Sequence, residues 1–158
     1  MERDLIINDL KKYFNIHELV SPKVYNKMGS GAWCLFDTDA LETLLFIREN
    51  LGKSITINNW FWGGKFKQRG FRENTSSIVS KKTEKDVVYL SGHVIGKAFD
   101  FDVKGMEAEE VRDWLKEKAS ELPCKIRLEH KKNGEPINWV HLDTKHYPDK
   151  PKVYLFDV

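Results

Sequence analysis

The segment 97–103 constrains this chain more than any other, because its side chains alternate strictly in kind. Ala98, Asp100 and Asp102 fall on one side of an extended strand, and Phe99, Phe101 and Val103 on the other. A strand with one small-and-acidic face and one apolar face belongs to a sheet that packs on a core through a single side. Segment 138–143 alternates as well. Asn138, Val140 and Leu142 share one face there, and Trp139, His141 and Asp143 share the other. Further strand-like runs are 54–58, 87–90, 125–129 and 153–157.

Helical periodicity marks three segments. Residues 4–14 bring Leu5, Ile6, Leu10 and Phe14 to one side. Residues 40–51 carry Leu41, Leu44, Leu45 and Phe46, with Asp39 placed to cap, Glu42 three residues on as in a capping box, and Gly52 as terminator. Residues 107–121 open with acids, which suits the positive end of the helix dipole. Val111, Trp114, Leu115, Ala119 and Leu122 form the apolar stripe, and Pro123 ends it. Helices come mainly first and strands cluster later. That order predicts an α+β fold with a mostly antiparallel sheet and flanking helices. No repeat, low-complexity tract or linker divides the chain, and 158 residues are enough for one core, so a single domain over 1–158 is expected.

The composition, 41% apolar and 32% charged, is that of a soluble globular chain. No apolar run reaches the ~20 residues of a membrane helix, so no membrane partner is expected. The start, Met1-Glu2-Arg3-Asp4, carries acids and lacks the form of a secretory signal, which predicts synthesis in the cytoplasm. A net charge of +2 is too mild to point to nucleic acid. The aromatic and basic segment 60–72, which could stack bases and hold phosphates, is expected instead to pack its rings on the domain. Cys34 and Cys124 have no ligand-like spacing and are expected to be two buried thiols.

The chemistry concentrates around the two alternating segments. His93 precedes the first and Asp100 lies within it, with Gly96 allowing a tight turn between them. If 138–143 is a central strand, His141 meets both. Two imidazoles and a carboxylate suit a zinc ion and leave a fourth position for water, as in catalytic sites. Such a metal acidifies the water and polarises a peptide carbonyl. His17, His130 and His146 are expected to be structural or surface residues.

Residues Ser91, His93, Gly96, Ala98 and Asp100 meet the pattern S-x-H-x-x-G-x-A-x-D, and Trp139 with His141 meets W-x-H. On these residues the chain resembles the zinc D-Ala-D-Ala carboxypeptidase and endopeptidase family, whose fold is shared by the hedgehog signalling domain. Arg69-Gly70-Phe71-Arg72 resembles the family's S-G-Y-R segment, with Arg69 replacing the serine. Tyr13-Phe14-Asn15-Ile16-His17-Glu18-Leu19 resembles the start of many phage and bacterial members. Ile57-Asn58-Asn59-Trp60 through Gly63-Gly64 is similar to phage-borne and Bacteroides-type relatives. The resemblance implies a hedgehog/DD-peptidase-like fold and Zn2+ held by His93, Asp100 and His141. It implies that Arg72 binds a substrate carboxylate in a bidentate contact and that Ser91 supports the site by a hydrogen bond. The implied activity is peptidase action on peptidoglycan stem peptides or cross-bridges, as carboxypeptidase or endopeptidase. Segment 60–72 would rim the glycan-peptide cleft. A phage lysis enzyme or virion component would reach the cell wall without a signal peptide.

One position departs from the family. Asn138 stands three residues before His141, where many members carry the acid that serves as general base. Three carboxylates are left for that role. Glu135, six residues before His141, has a spacing that resembles the hedgehog branch. Asp143 shares the face of His141, about 7 Å along the strand. Glu129 ends the run 125–129. Glu135 also reads as a solvated acid of the turn Asn133-Gly134-Glu135-Pro136, and Asp143 as a group that orients a ligand. A chain that kept the metal shell and lost the base would be a zinc-stabilised binding or structural module.

Overall fold

The computed structural model describes residues 1–145 and 147–158. Its strands are β1 (Ile55–Thr56), β2 (Ala98–Val103), β3 (Ile126–Glu129), β4 (Lys131–Lys132), β5 (Glu135–Pro136), β6 (Val140–Asp143) and β7 (Val153–Phe156). Its α-helices are α1 (Arg3–Leu10), α2 (Pro22–Met28), α3 (Thr38–Leu51), α4 (Ser77–Glu84) and α5 (Ala108–Glu117). Five strands form one sheet in the order β1-β2-β6-β3-β7, and β4 pairs with β5 in a separate hairpin. The large sheet is mixed but mostly antiparallel, with β7 parallel to β3. The fold is thus α+β.

The alternation decides which side of this sheet meets the helices. Phe99 and Phe101 of β2, Val140 and Leu142 of β6, and Ile126 and Leu128 of β3 are buried in one apolar core. The same core takes Ile6 and Leu10 of α1, Leu41, Leu44 and Ile47 of α3, and Val111 and Leu115 of α5. Burying each such side chain is worth about 1.5–3 kcal/mol, so a one-residue slip of β2 or β6 would be prohibitive. The register is fixed accordingly, with Asp100 opposite His141 and Ala98 opposite Asp143.

Several boundaries differ from expectation for local reasons. Helix α1 stops at Leu10, and a turn then tucks Phe14 into the core. Helix α3 starts earlier than the expected cap Asp39, with Asp37 as its N-cap residue. The Asp37 carboxylate makes no cap hydrogen bond, because it accepts from Thr144 Oγ1 at 3.2 Å and pairs with Lys97 at 3.2 Å. Helix α5 closes a capping box between Glu107 and Glu110, then unwinds after Glu117 so that Leu122 can be buried. Residues 87–90 form no strand. Both flanks of β2 are taken by β1 and β6, and Val88 is left 85% exposed.

Helix α2 has a start signal in the sequence, the Ser21-Pro22 pair, and Ser21 Oγ accepts the Val24 N–H at 3.2 Å. Cys34 is exposed and Cys124 half-buried, so the expectation of two buried thiols is corrected. Cys34 lies in a 3-10 turn, Gly29–Leu35, that buries Ala32 and Trp33 instead. Among the described residues, no helix is long and apolar enough to cross a membrane.

Candidate metal centre

The face of the sheet opposite the apolar core carries the polar side chains that alternation assigns to it. Asp100 projects from β2 and His141 from the neighbouring β6. His93 comes from the loop before β2, folded back over the sheet by two glycines. Gly96 has φ of +72°, and a Cβ there would collide with the Leu35 carbonyl. A Cβ at Gly92 would lie 2.8 Å from Ala98 Cβ and 3.1 Å from Asp143 Cβ. Only a glycine opposite an alanine lets this loop approach β2 so closely. The Lys97 N–H closes the turn on the Gly92 carbonyl at 2.8 Å.

Segment 69–72 forms the second wall. The Asp100 N–H donates to the Arg69 carbonyl at 2.7 Å, and the Arg72 N–H donates to the His93 carbonyl at 3.1 Å. Asp100 and His93 are therefore tied to one backbone strip, while His141 is held by the sheet itself. On the far side, Arg112 of α5 is 1% exposed and donates to the carbonyls of Ile137 and Trp139. That contact fixes the approach to β6 one residue before it begins.

Three donor atoms converge. His93 Nε2 lies 3.2 Å from Asp100 Oδ1 and 3.3 Å from His141 Nδ1, and His141 Nδ1 lies 2.7 Å from Asp100 Oδ1. A tetrahedral ion with ligands at ~2.0–2.1 Å requires donor separations of roughly 3.3 Å, so two of the three edges already match. The outward nitrogens are committed to acceptors. His93 Nδ1 meets the Gly70 carbonyl at 2.8 Å, and His141 Nε2 meets Asp143 Oδ2 at 3.0 Å. With an ion bound, each ring would donate outward and turn a lone pair inward, which is how metal-binding histidines are held. The three residues can hold a metal ion, and all three are buried.

The electrostatics describe a compact charged cluster. Burial disfavours a charge on His141, but hydrogen bonds to Asp100 and Asp143 outweigh it and push its pKa up to about 10. Burial works to raise Asp100, yet the charge of His93 and hydrogen bonds from His141 and His93 hold it far below the usual carboxylate range. His93 is lowered by its burial, partly offset by Asp100. A proton on His141 and a cation in the cluster thus answer the same negative charge.

The other expected site residues are placed as follows. Arg72 donates from Nε to the Gln68 carbonyl at 2.7 Å, from Nη1 to Tyr89 Oη at 3.1 Å and from Nη2 to Asp100 Oδ2 at 3.3 Å. It leaves Asp100 Oδ1 to face the two imidazoles. Ser91 Oγ is buried and has no hydrogen-bond partner among the described residues. Asp143 is fully buried and has both oxygens engaged by Arg127, at 2.8 Å from Nε and 2.8 Å from Nη2. It also accepts from His141 and from the Lys145 N–H at 3.1 Å. Burial raises its pKa, but the hydrogen bonds from His141 and Arg127 prevail and lower it. An acid so fully engaged orients His141 and is a poor proton acceptor. Glu135 is exposed on the β4–β5 hairpin, paired in register with Lys132, and is brought to none of the three ligands among the described residues.

Asn138 and Trp139 line a cleft of about 460 Å³ with Lys65, Phe66, Arg69, Asp100 and Asp102. Segment 60–72 therefore contributes Lys65, Phe66 and Arg69 to the cleft that reaches a ligand. Arg69 pairs with Asp102 at 2.8 Å and stacks over Phe66. His17 is buried against Phe61, and His130 pairs with Glu109 and Asp157, as expected of structural residues. His146 lies outside the described residues.

Reading the sequence missed Arg127 and Tyr89. Arg127 was findable, since Arg127 and Glu129 alternate with Ile126 and Leu128 in the run 125–129. Comparison of the chain with protein-family models, with curated proteins and with solved structures finds no match.

Proposed function

We propose that this chain is a zinc-dependent peptidase acting on peptidoglycan stem peptides or cross-bridges. The observation that carries the reading is the convergence of His93 Nε2, Asp100 Oδ1 and His141 Nδ1, each backed by an acceptor or a guanidinium. Three protein ligands with a fourth side open is the arrangement of catalytic zinc rather than of closed structural zinc. The resemblance of residues 91–100 and 139–141 to the D-Ala-D-Ala peptidase family, with its hedgehog-like fold, supplies the substrate class. It also supplies the setting of a phage lysis or virion enzyme acting at the cell wall.

When bound, the metal supplies a Lewis acid that polarises a peptide carbonyl. The chain's own residues do the rest. Asp143 and Arg127 hold His141 in one tautomer, and the Gly70 carbonyl does the same for His93. Arg72 keeps donors beyond those used on Gln68, Tyr89 and Asp100, and these are available to a substrate carboxylate at the edge of the site. The cleft between segment 65–69 and residues 138–139 reaches Asp100 and would take the peptide.

A second reading is a non-catalytic zinc-binding module of the same fold. It is favoured by Asn138, which lines the cleft at the position where family members carry an acid. Incubating purified peptidoglycan fragments with zinc-loaded protein, beside a chelated control, separates the two by mass spectrometry. New peptides formed only with metal support the peptidase. Unchanged fragments across several wall chemistries, with one zinc still bound per chain, support the module.

A further inference from the structure

We infer that Glu129 is the carboxylate that takes the proton of the attacking water, an assignment that rests on the peptidase reading above. Its place follows from the register of β3 on β6. Arg127 lies opposite Asp143 and Leu128 opposite Leu142, so the next step along the antiparallel ladder brings Glu129 opposite His141. Alternation puts Glu129 on the same face as Arg127, and therefore on the face that carries Asp143, His141 and Asp100. Directly opposed residues on such a ladder have Cβ atoms about 4.5–5.5 Å apart, which is within reach of a two-carbon side chain over the His141 ring.

Three further observations separate Glu129 from the other acids. It is half-buried, yet among the described residues its carboxylate makes no ion pair and no hydrogen bond. The adjacent Arg127, the natural partner, spends its guanidinium on Asp143. Holding a carboxylate partly out of water without a partner is unfavourable, so its place beside a candidate metal site points to a use. The donor atoms that lie within 4.8 Å of one another are those of His93, Asp100 and His141, which leaves Glu129 outside the ligand group. Glu129 is thus beside a ligand without being one. Asn138, by contrast, has no proton-accepting group, Asp143 is fully engaged, and Glu135 stands on the outer hairpin.

The step balances with these groups alone. Glu129 removes one proton from water as the water oxygen bonds to the scissile carbonyl carbon. The same proton passes to the departing amine nitrogen as the C–N bond breaks. The carboxylate ends as it began, and no co-reactant is consumed.

Glu129→Gln removes the proton acceptor and keeps the shape, and zinc content, turnover and binding of acetohydroxamic acid to zinc-loaded protein are then compared with the parent chain. The expected result is one zinc per chain in both, kcat lowered ~100-fold or more with KM little changed, and hydroxamate binding weakened about tenfold through loss of a charged acceptor. Glu129→Asp, which shortens the reach by one methylene, should also retain zinc and lose most turnover. Turnover within tenfold of the parent, or equal hydroxamate affinity in Glu129→Gln, overturns the assignment. Should the parent chain itself cleave no wall peptide, the peptidase reading fails, and the hydroxamate comparison still decides whether Glu129 faces the open side of the site. Loss of zinc in Glu129→Gln would make it a ligand and also overturn the assignment.

Discussion

Replacing Asp143 by alanine tests whether the Arg127–Asp143–His141 chain holds the metal centre in shape. The Asp143 side chain is 1% exposed and that of Arg127 14%, so the pair is largely withdrawn from water. Removing one partner of a buried pair costs about 3–5 kcal/mol, chiefly because the other charge is stranded. Arg127 keeps some exposure and stacks over the Phe156 ring at 4.4 Å, which favours the lower end, about 3 kcal/mol. In a domain of this length each kcal/mol shifts the melting temperature by roughly 2–4 °C, so a loss of about 6–12 °C is expected. Freeing His141 Nε2 also lets the ring turn, which should weaken zinc by about 10–100-fold. Urea unfolding of metal-free protein and a chelator competition read the two effects separately. Combining Asp143→Ala with Arg127→Met removes both charges and keeps an apolar stem against Phe156. That double variant should regain at least half of the lost stability while zinc stays weak. Losses that simply add, or zinc affinity unchanged in Asp143→Ala, would refute the reasoning.

His93→Ala and His141→Ala should each lower bound zinc well below one per chain and abolish the thermal stabilisation that zinc gives the parent, measured by metal analysis beside thermal melts; full occupancy in both would remove them as ligands. Gly92→Ala introduces a Cβ against Ala98 and Asp143, and should cost about 1–3 kcal/mol in unfolding free energy while displacing His93 enough to weaken zinc. Melting temperatures and zinc affinities equal to the parent's would show that the loop can shift freely. In metal-free protein the His141 pKa rises from the unfolded ~6.5 to about 10. Its share of stability is therefore complete below about pH 6.5 and lost as pH climbs toward 10. Chelated protein should melt at progressively lower temperature across that interval, and a His141→Ala series should be flat there.

The fold was legible where periodicity is strict. The alternation in 97–103 and 138–143 located β2, β6 and the face of Asp100 and His141, because a buried side cannot tolerate a slipped register. The apolar stripe of residues 107–121 located α5, and Gly52 marked the end of α3. What stayed hidden depends on contacts distant in the chain. Asp37 begins α3 as a tie to Lys97 and Thr144, a use that no local capping pattern encodes. Residues 87–90 have strand-like composition, but composition does not reveal that both flanks of β2 are already filled. Helix α4 is short, polar and lysine-rich, so it carries no stripe to find.

The same limit holds for the candidate bases. Glu135 is suggested by its spacing from His141 and Asp143 by sharing its strand face, and neither signal reports a neighbour on another strand. In a sheet the relevant neighbour is across the ladder. Glu129 is twelve positions before His141, yet the register of β3 on β6 sets it opposite that residue, while Glu135, half as far in sequence, is diverted into a separate hairpin. The diversion has a local cause, since Asn133 and Gly134 both adopt positive φ and make the two-residue turn that closes β4 on β5. Arg112 then pins Ile137 and Trp139 so that the chain re-enters the sheet at Val140. The turn residues therefore remove Glu135 from the site and, by returning β6 beside β3, put Glu129 opposite His141.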